Sequence, residues 1–237
     1  HPDDESLDFG SLMAGACRAG RRVAVVLFTD GEAGLDLYPQ RMVGDVYPAR
    51  KLAGSALAQV RVLEATRALS VLGAEAYVRL GLSNSPYGSE REVLSLERVL
   101  EGWGGEERLI ARLVSLIEGF RPALVISPDS PSQAHEHFEH EAVGHLVREA
   151  LAVLGPGAPY LLGHLVCVDP LQRDRYRDLI SVSARSRDPV SGQELRAVQA
   201  AALAEHLTQR DAAVLGVARL SRLPYEYYKP LLWRSED

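Results

Sequence analysis

The sequence describes a mid-sized acidic chain of 237 residues, of which 46% are hydrophobic and 24% are charged. A chain of this length can bury roughly 70% or more of its unfolded surface in one globular domain. The formal net charge of -6 argues against nucleic acid as a partner, because binding a polyphosphate requires a basic surface. No run of about 18 apolar residues occurs, so no membrane span is predicted. Two cysteines are too few for a disulfide framework and favour a reducing, cytoplasmic compartment.

Apolar runs alternate along the chain with segments of helical period. We predict strands at 23–28, 76–80, 123–127, 160–168 and 179–182, and helices at 5–19, 56–72, 106–119, 138–154 and 194–216. Strands that alternate with crossover helices predict the α/β class, here a Rossmann-like three-layer α/β/α domain with a mostly parallel sheet. Residues 35–53 have no clear period and predict a long loop or lid. We expect residues 1–237 to form a single domain.

Two histidine motifs more than a hundred residues apart predict the two halves of one metal site. The chain opens with HisProAspAspGlu, and HisGluHisPheGluHis stands at 135–140. His1 and Asp4 offer one nitrogen and one oxygen, His140 offers a second nitrogen, and Asp3 stands beside them as a base. Three protein ligands, an open position for water and a nearby carboxylate are typical of a catalytic zinc site. His137, three residues before His140, shares its helix face and would lie just outside the coordination sphere.

Polar loops follow three of the predicted strands. They are ThrAspGlyGluAlaGly at 29–34, GlyLeuSerAsnSer at 81–85 and ProAspSerProSer at 128–132. Sites in open α/β sheets form outside the carboxyl ends of the strands. We therefore expect these loops to converge near the opening motif, provided that an apolar strand precedes His1 in the natural protein. Without such a strand, a ligand would hang from a chain end that is free to fray.

Each candidate has a simpler interpretation that the sequence leaves open. A single exposed histidine usually binds nothing, and a carboxylate at a helix N-terminus, such as Asp3, is often only a cap. The two motifs together, on this predicted scaffold, favour the metal site.

The chain resembles the PIG-L/LmbE-like family of zinc-dependent N-deacetylases, which act on N-acetylglucosamine-containing substrates and related amides. The family's opening signature stands intact at residues 1–5, and HisPheGluHis at 137–140 takes the place of the usual HisProAspHis. The resemblance implies that His1, Asp4 and His140 bind zinc, that Asp3 is the general base, and that His137 stabilises the transition state.

Weaker family marks lie elsewhere in the chain. Arg61 and Glu64 fit an ArgxxGlu pattern, and a strand end that is usually LeuGlyLeuProAsp here reads LeuGlyLeuSerAsn, which puts Asn84 in place of a carboxylate. We predict Arg61 and Asn84 as substrate-binding residues. Near the C-terminus, Gln199 stands where lysine is usual, and His206 is either a structural hydrogen-bonding residue or a substrate contact.

The expected substrate is a small N-acetylated sugar or sugar conjugate. Tyr38, Tyr47 and Tyr87 offer aromatic surface for a sugar ring, although the tyrosines of the predicted lid serve equally well as packing residues. Two other classes stay open: a catalytically silent zinc- or carbohydrate-binding protein, and a non-haem iron enzyme, which would use the same two histidines and carboxylate. A homo-oligomer is compatible with the acidic α/β chain.

Overall fold

The computed structural model describes residues 1–38, 51–85, 95–129, 138–165, 178–210, 214, 216–218 and 225–232. In chain order the elements are α1 (Asp4–Arg18), β1 (Ala24–Thr29), α2 (Gly54–Leu72), β2 (Ala76–Leu82), α3 (Leu96–Gly102), α4 (Glu106–Phe120), β3 (Leu124–Pro128), α5 (Phe138–Leu154), β4 (Tyr160–His164), β5 (Ile180–Ser183), α6 (Leu195–Ala204) and β6 (Tyr225–Leu232). Short 3-10 turns occur at Gly155–Gly157 and Leu207–Gln209. The chain divides into two compact units, His1–Pro86 with Val182–Glu226, and Tyr87–Ser181 with Tyr227–Asp237.

The first unit contains a parallel strand pair and three packed helices. β1 and β2 run parallel, with Ala24 opposite Ala76 and Leu27 opposite Arg79. Helices α1, α2 and α6 pack on one another, and α2 buries residues spaced three or four apart, as an amphipathic helix does. Their shared core consists of Met13, Ala14, Ala68, Leu69, Leu72, Leu195, Val198 and Ala202. Each buried leucine or methionine side chain contributes about 1.5–3 kcal/mol to folding.

The buried face of α2 also carries two charged side chains. Arg61 and Glu64 are 4% and 0% exposed. A buried charge is costly unless it is paired and hydrogen-bonded. We therefore expect both side chains to have hydrogen-bond partners on other segments of the chain.

Polar side chains hold α1 from the side. Gln199 Nε2 donates to the carbonyl oxygens of Ser6 and Leu7 at 2.8 and 3.2 Å. The Glu226 carboxylate accepts from the main-chain N–H of Ser11 and of the next residue at 2.7 and 2.9 Å. A Cβ at Gly10 would lie 2.5 Å from Gln199 Cγ, so glycine permits this close approach. The helix that begins at the HisProAspAspGlu motif is thus fixed in place by residues from the other end of the chain.

The second unit contains most of a four-stranded sheet in the order β3-β4-β6-β5, in which β5 and β6 cross the boundary between the units. β3 pairs with β4 in parallel, and β4 pairs with β6 antiparallel. Helix α5 packs on β3, α3 and α4. Its buried side chains include Ala142, Leu146, Val147, Ala150 and Leu151. The predicted α/β class is confirmed.

Four predicted helices and four predicted strands are confirmed to within two residues at each end. For the predicted strand at 160–168, the described part is β4. The predicted loop at 35–53 falls partly outside the described residues, because 39–50 are not among them. Neither α3 nor β6 was predicted. Among the described residues, no helix has both the length and the apolar content that crossing a bilayer requires.

The prediction of one long helix over 194–216 is wrong. Helix α6 ends at Ala204, and the chain turns at His206 (φ -84°, ψ 64°) into a 3-10 turn. The physical reason is tertiary, because His206 and Thr208 are buried and hydrogen-bonded to carboxylates on other helices. A continuous helix would point these side chains elsewhere.

Candidate active site at the start of the first helix

Asp3 occupies a strained backbone position at the start of α1. It is the N-cap residue, with φ 127° and ψ -32°, and its side chain makes no capping hydrogen bond to the described residues. Such a conformation costs a residue other than glycine about 1–3 kcal/mol, and it persists only where the surroundings impose it. The interpretation of Asp3 as an ordinary helix cap is therefore not supported.

His1 and Asp4 bring a nitrogen and an oxygen donor together. His1 Nδ1 lies 2.9 Å from Asp4 Oδ2, and the two side chains are 11% and 21% exposed. Imidazole nitrogen and carboxylate oxygen are both ligands that zinc accepts, so the residues present fit a divalent cation. His140 lies in the first turn of α5. His137 falls outside the described residues.

Arg61 joins the opening motif to the turn after β1. Its Nη2 donates to the Pro2 carbonyl oxygen at 2.7 Å and lies 3.3 Å from Asp3 Oδ1. Its Nη1 donates to the Gly31 carbonyl oxygen at 3.0 Å. A Cβ at Gly31 or at Gly34 would lie 2.2 or 2.6 Å from Nη1, so this turn closes directly over the guanidinium group. Its Nε finds no acceptor among the described residues.

Burial raises the pKa of Asp3 to about 7, and the positive charge of Arg61 offsets part of that rise. The neighbouring Asp4 carboxylate acts in the same direction as burial, since two negative charges side by side repel each other.

Glu5 and His206 form a buried pair on the other side of the motif. His206 Nε2 lies 2.8 Å from Glu5 Oε1, and Ser6 Oγ donates to the same oxygen at 2.8 Å. The second oxygen, Glu5 Oε2, accepts from the main-chain N–H of Asp3 at 2.8 Å. Burial alone would lower the pKa of His206, but the charge and hydrogen bond of Glu5 raise it above its ordinary value. Burial alone would raise the pKa of Glu5, but His206 lowers it.

Glu64 binds the segment that contains His206. Its two carboxylate oxygens accept from the main-chain N–H and the hydroxyl of Thr208 at 2.8 and 2.5 Å. The ArgxxGlu pattern of α2 thus connects two segments, Arg61 to the opening motif and Glu64 to the turn after α6. The surface ion pair that this spacing usually indicates is not what the structure shows.

Asn84 shapes the turn that follows β1. Its Oδ1 accepts from the main-chain N–H of Ala33 at 3.1 Å, and its own N–H donates to Glu32 Oε1 at 2.6 Å. Its role as a substrate contact stays a prediction, as does that of Arg61. Tyr38 is among the described residues, whereas Tyr47 and Tyr87 are not.

Four further residues of the site were not predicted from the sequence: Glu5, Ser6, Glu64 and Thr208. The signal for Glu5 was its place as the last residue of the opening motif. The signal for Glu64 was only that it lies in the weak ArgxxGlu pattern.

The fold and this geometry define an α/β protein in which residues at the start of the first helix offer a histidine and consecutive carboxylates suited to a divalent metal. Residues 1–151 match the PIG-L family, described as GlcNAc-PI de-N-acetylase, and the chain belongs to this family.

Among relatives, a 1D-myo-inositol 2-acetamido-2-deoxy-alpha-D-glucopyranoside deacetylase from Mycobacterium leprae is 29% identical over 165 residues, which cover 69% of this chain and 51% of the relative. The chain thus spans about half the length of that curated relative.

Solved structures with other sequences share the fold, among them a deacetylase and a hydratase. A deacetylase from the teicoplanin biosynthesis pathway has a TM-score of 0.63 at 18% identity, covering 100% of this chain and 96% of the other. The 4-carboxy-2-hydroxymuconate hydratase of Pseudomonas putida has a TM-score of 0.64 at 16% identity, covering 100% and 95%. Since these two proteins carry out different reactions, the fold alone does not select one.

Proposed function

We propose that this chain is a metal-dependent deacetylase that removes the acetyl group from an N-acetylglucosamine-type or related N-acyl substrate. The observation that carries the proposal is the opening motif of a PIG-L family chain. There, the nitrogen of His1 and the oxygen of Asp4 lie 2.9 Å apart, next to the buried Asp3 carboxylate. The name of the Mycobacterium leprae relative supports the substrate class.

The proposed metal is Zn²⁺, with His1, Asp4 and His140 as its ligands. When bound, it supplies Lewis-acid chemistry: it polarises the acyl carbonyl and makes water a stronger acid. The donor set of two imidazoles and one carboxylate suits zinc, and it leaves a coordination position open.

The residues of the chain carry the proton transfers in this proposal. Asp3 takes a proton from the water that attacks the amide carbonyl, and returns it to the nitrogen as the C–N bond breaks. The products are acetate and a free amine. A donor from His137 to the carbonyl oxygen would contribute about 3–4 kcal/mol to the barrier reduction. Substrate contacts by Arg61 and Asn84 remain part of the sequence-based prediction.

The finer predictions on architecture and context also stay proposals. A three-layer arrangement with a mostly parallel sheet is supported by the two parallel strand pairs. A single domain over residues 1–237, a cytoplasmic location and a homo-oligomer rest on the sequence alone. The proposed partner is a small N-acetylated sugar or conjugate.

A panel of N-acetylated sugars, assayed for amine release with and without added zinc, tests the function. We expect Asp3→Asn to keep zinc but lose about 10²- to 10⁴-fold in kcat, the usual contribution of a general base. We expect His140→Ala to lose the metal. His145→Ala is the matched control, since His145 lies on the same helix and pairs with Glu106.

Three results would separate the alternatives. Near-normal turnover by Asp3→Asn would remove the base assignment. Zinc binding without amine release across the panel would favour a silent zinc- or carbohydrate-binding protein. Iron found by anaerobic metal analysis of the purified protein would favour the oxygenase class.

A further inference from the structure

The peptide group between Pro2 and Asp3 is held at both of its polar atoms by buried charged side chains. Its carbonyl oxygen accepts from Arg61 Nη2 at 2.7 Å, and its N–H donates to Glu5 Oε2 at 2.8 Å. Arg61 and Glu5 are 4% and 3% exposed. Hydrogen bonds to charged groups are about twice as strong as those between neutral groups, so this peptide plane is firmly oriented.

The orientation of that plane sets the backbone angle of Asp3. The angle φ describes rotation of the Asp3 main chain relative to the Pro2–Asp3 peptide, and its value of 127° is one that residues other than glycine avoid. Without external contacts the peptide would rotate to relieve the strain. The two hydrogen bonds oppose that rotation from opposite sides.

Both holding side chains are themselves anchored. Arg61 reaches the Gly31 carbonyl oxygen with its second nitrogen at 3.0 Å. Glu5 is fixed by His206 and Ser6 at its other oxygen, each at 2.8 Å. The side chains thus transmit the rigidity of α2, and of the segment after α6, to the start of α1.

We propose that Arg61 and Glu5 are positioning residues that clamp the Pro2–Asp3 peptide and thereby fix the direction of the Asp3 carboxylate and the placing of His1 and Asp4. This inference rests on the proposed function for its catalytic consequence. It gives Arg61 a role that differs from the substrate contact predicted by the sequence pattern, because each of its two terminal guanidinium nitrogens donates to a main-chain carbonyl oxygen, of Gly31 and of Pro2.

The experiment compares Arg61→Lys with Arg67→Lys, a matched change six residues further along α2 at an exposed position. Lysine keeps the charge but lacks the planar fork that serves Pro2 and Gly31 together. The measurements are kcat, KM, the melting temperature, and the affinity for zinc ion by competition with a chromophoric chelator.

A clamp predicts that Arg61→Lys loses about 10- to 100-fold in kcat and in zinc affinity, with KM nearly unchanged, as when an outer-shell partner is removed. Arg67→Lys should match the wild type. A raised KM with normal kcat and normal zinc affinity would identify Arg61 as a substrate contact and overturn the proposal. Unchanged kcat, KM and zinc affinity would also overturn it.

A second pair of variants tests the hydrogen bond from the Asp3 N–H to Glu5. This pair also tests the proposal if Arg61→Lys does not fold. Glu5→Gln keeps an oxygen that can accept from the Asp3 N–H, whereas Glu5→Leu removes it. We expect Glu5→Leu to lose about 10- to 100-fold in zinc affinity and kcat, and Glu5→Gln to recover most of that loss. Equal values for the two variants would overturn the clamp.

The zinc readout keeps this test independent of the proposed reaction. If the wild type releases no amine from any N-acetylated sugar in the panel, the proposed function fails. Weaker zinc binding by Arg61→Lys and Glu5→Leu would still support the clamp, and unchanged zinc binding would overturn it.

Discussion

Replacing Gly31 by alanine should test how tightly the turn after β1 closes over the Arg61 guanidinium. An ideal Cβ at Gly31 would lie 2.2 Å from Arg61 Nη1 and 2.5 Å from Cζ, and φ at this position is 72°. Arg61 cannot retreat without giving up its bonds to the carbonyl oxygens of Pro2 and Gly31. The substitution therefore combines a backbone cost with a steric cost.

Gly20 supplies the control that separates the two costs. Its φ of 73° is nearly the same, but an added Cβ would meet nothing within 4 Å. The left-handed backbone costs a residue other than glycine about 1–2 kcal/mol at either position. Overpacking a well-packed site costs about 1–3 kcal/mol more. We expect Gly20→Ala to lose about 1–2 kcal/mol in the free energy of unfolding, and Gly31→Ala to lose about 2–5 kcal/mol.

The assay is urea denaturation followed by fluorescence and circular dichroism, on each single variant and in an Arg61→Ala background. Removing the guanidinium removes the obstacle, so Gly31→Ala should then cost no more than Gly20→Ala. The difference between the two backgrounds is a coupling energy of about 1–3 kcal/mol. Equal costs for the two glycine variants in the wild-type background would refute the close contact with Arg61.

Two further predictions concern stability elsewhere. Because Glu5 raises the pKa of buried His206, stabilisation by this pair should be complete below about pH 6.5 and lost as the pH rises through the raised value. The other carboxylates that act on His206 are those of Asp3 and Glu64. The melting temperatures of the wild type and His206→Gln should therefore converge as the pH rises above about 6.5, and a constant gap would contradict the assignment. On α5, Leu146→Ala should cost about 2–5 kcal/mol in urea denaturation, against about 0.5 kcal/mol for the exposed Val153→Ala.

Periodicity located most elements because it reports the face that each one buries. Helices α1, α2, α4 and α5 have apolar residues at helical spacing, and that spacing survives whatever the element packs against. The break after α6 could not be predicted in this way. It depends on His206 meeting Glu5, which lies 201 residues away in sequence, and no local pattern encodes such a contact.

The residue types of the candidate site could be predicted from the sequence, but the backbone conformation and hydrogen bonds that position them could not. The residue types of the opening motif were enough to predict His1, Asp3 and Asp4 as site residues. The strain at Asp3 is invisible in the sequence, because aspartate carries no mark of a positive φ. The ArgxxGlu pattern predicted a substrate contact for Arg61. In the structure, the Arg61 side chain points to the carbonyl oxygen of Pro2, which lies 59 residues away in sequence and cannot be read from a local pattern.

Three consecutive carboxylates, Asp3 to Glu5, would repel one another strongly in a buried turn. The structure gives each a different cationic or imidazole neighbour: Arg61 faces Asp3, His206 faces Glu5, and His1 faces Asp4. The N-terminus of α1 adds a favourable dipole for all three. Arg61 on α2 and His206 in the turn after α6 are buried, whereas His1 lies within the motif itself and is partly exposed. This difference in surroundings supports the choice of Asp4, rather than Asp3 or Glu5, as the proposed metal ligand.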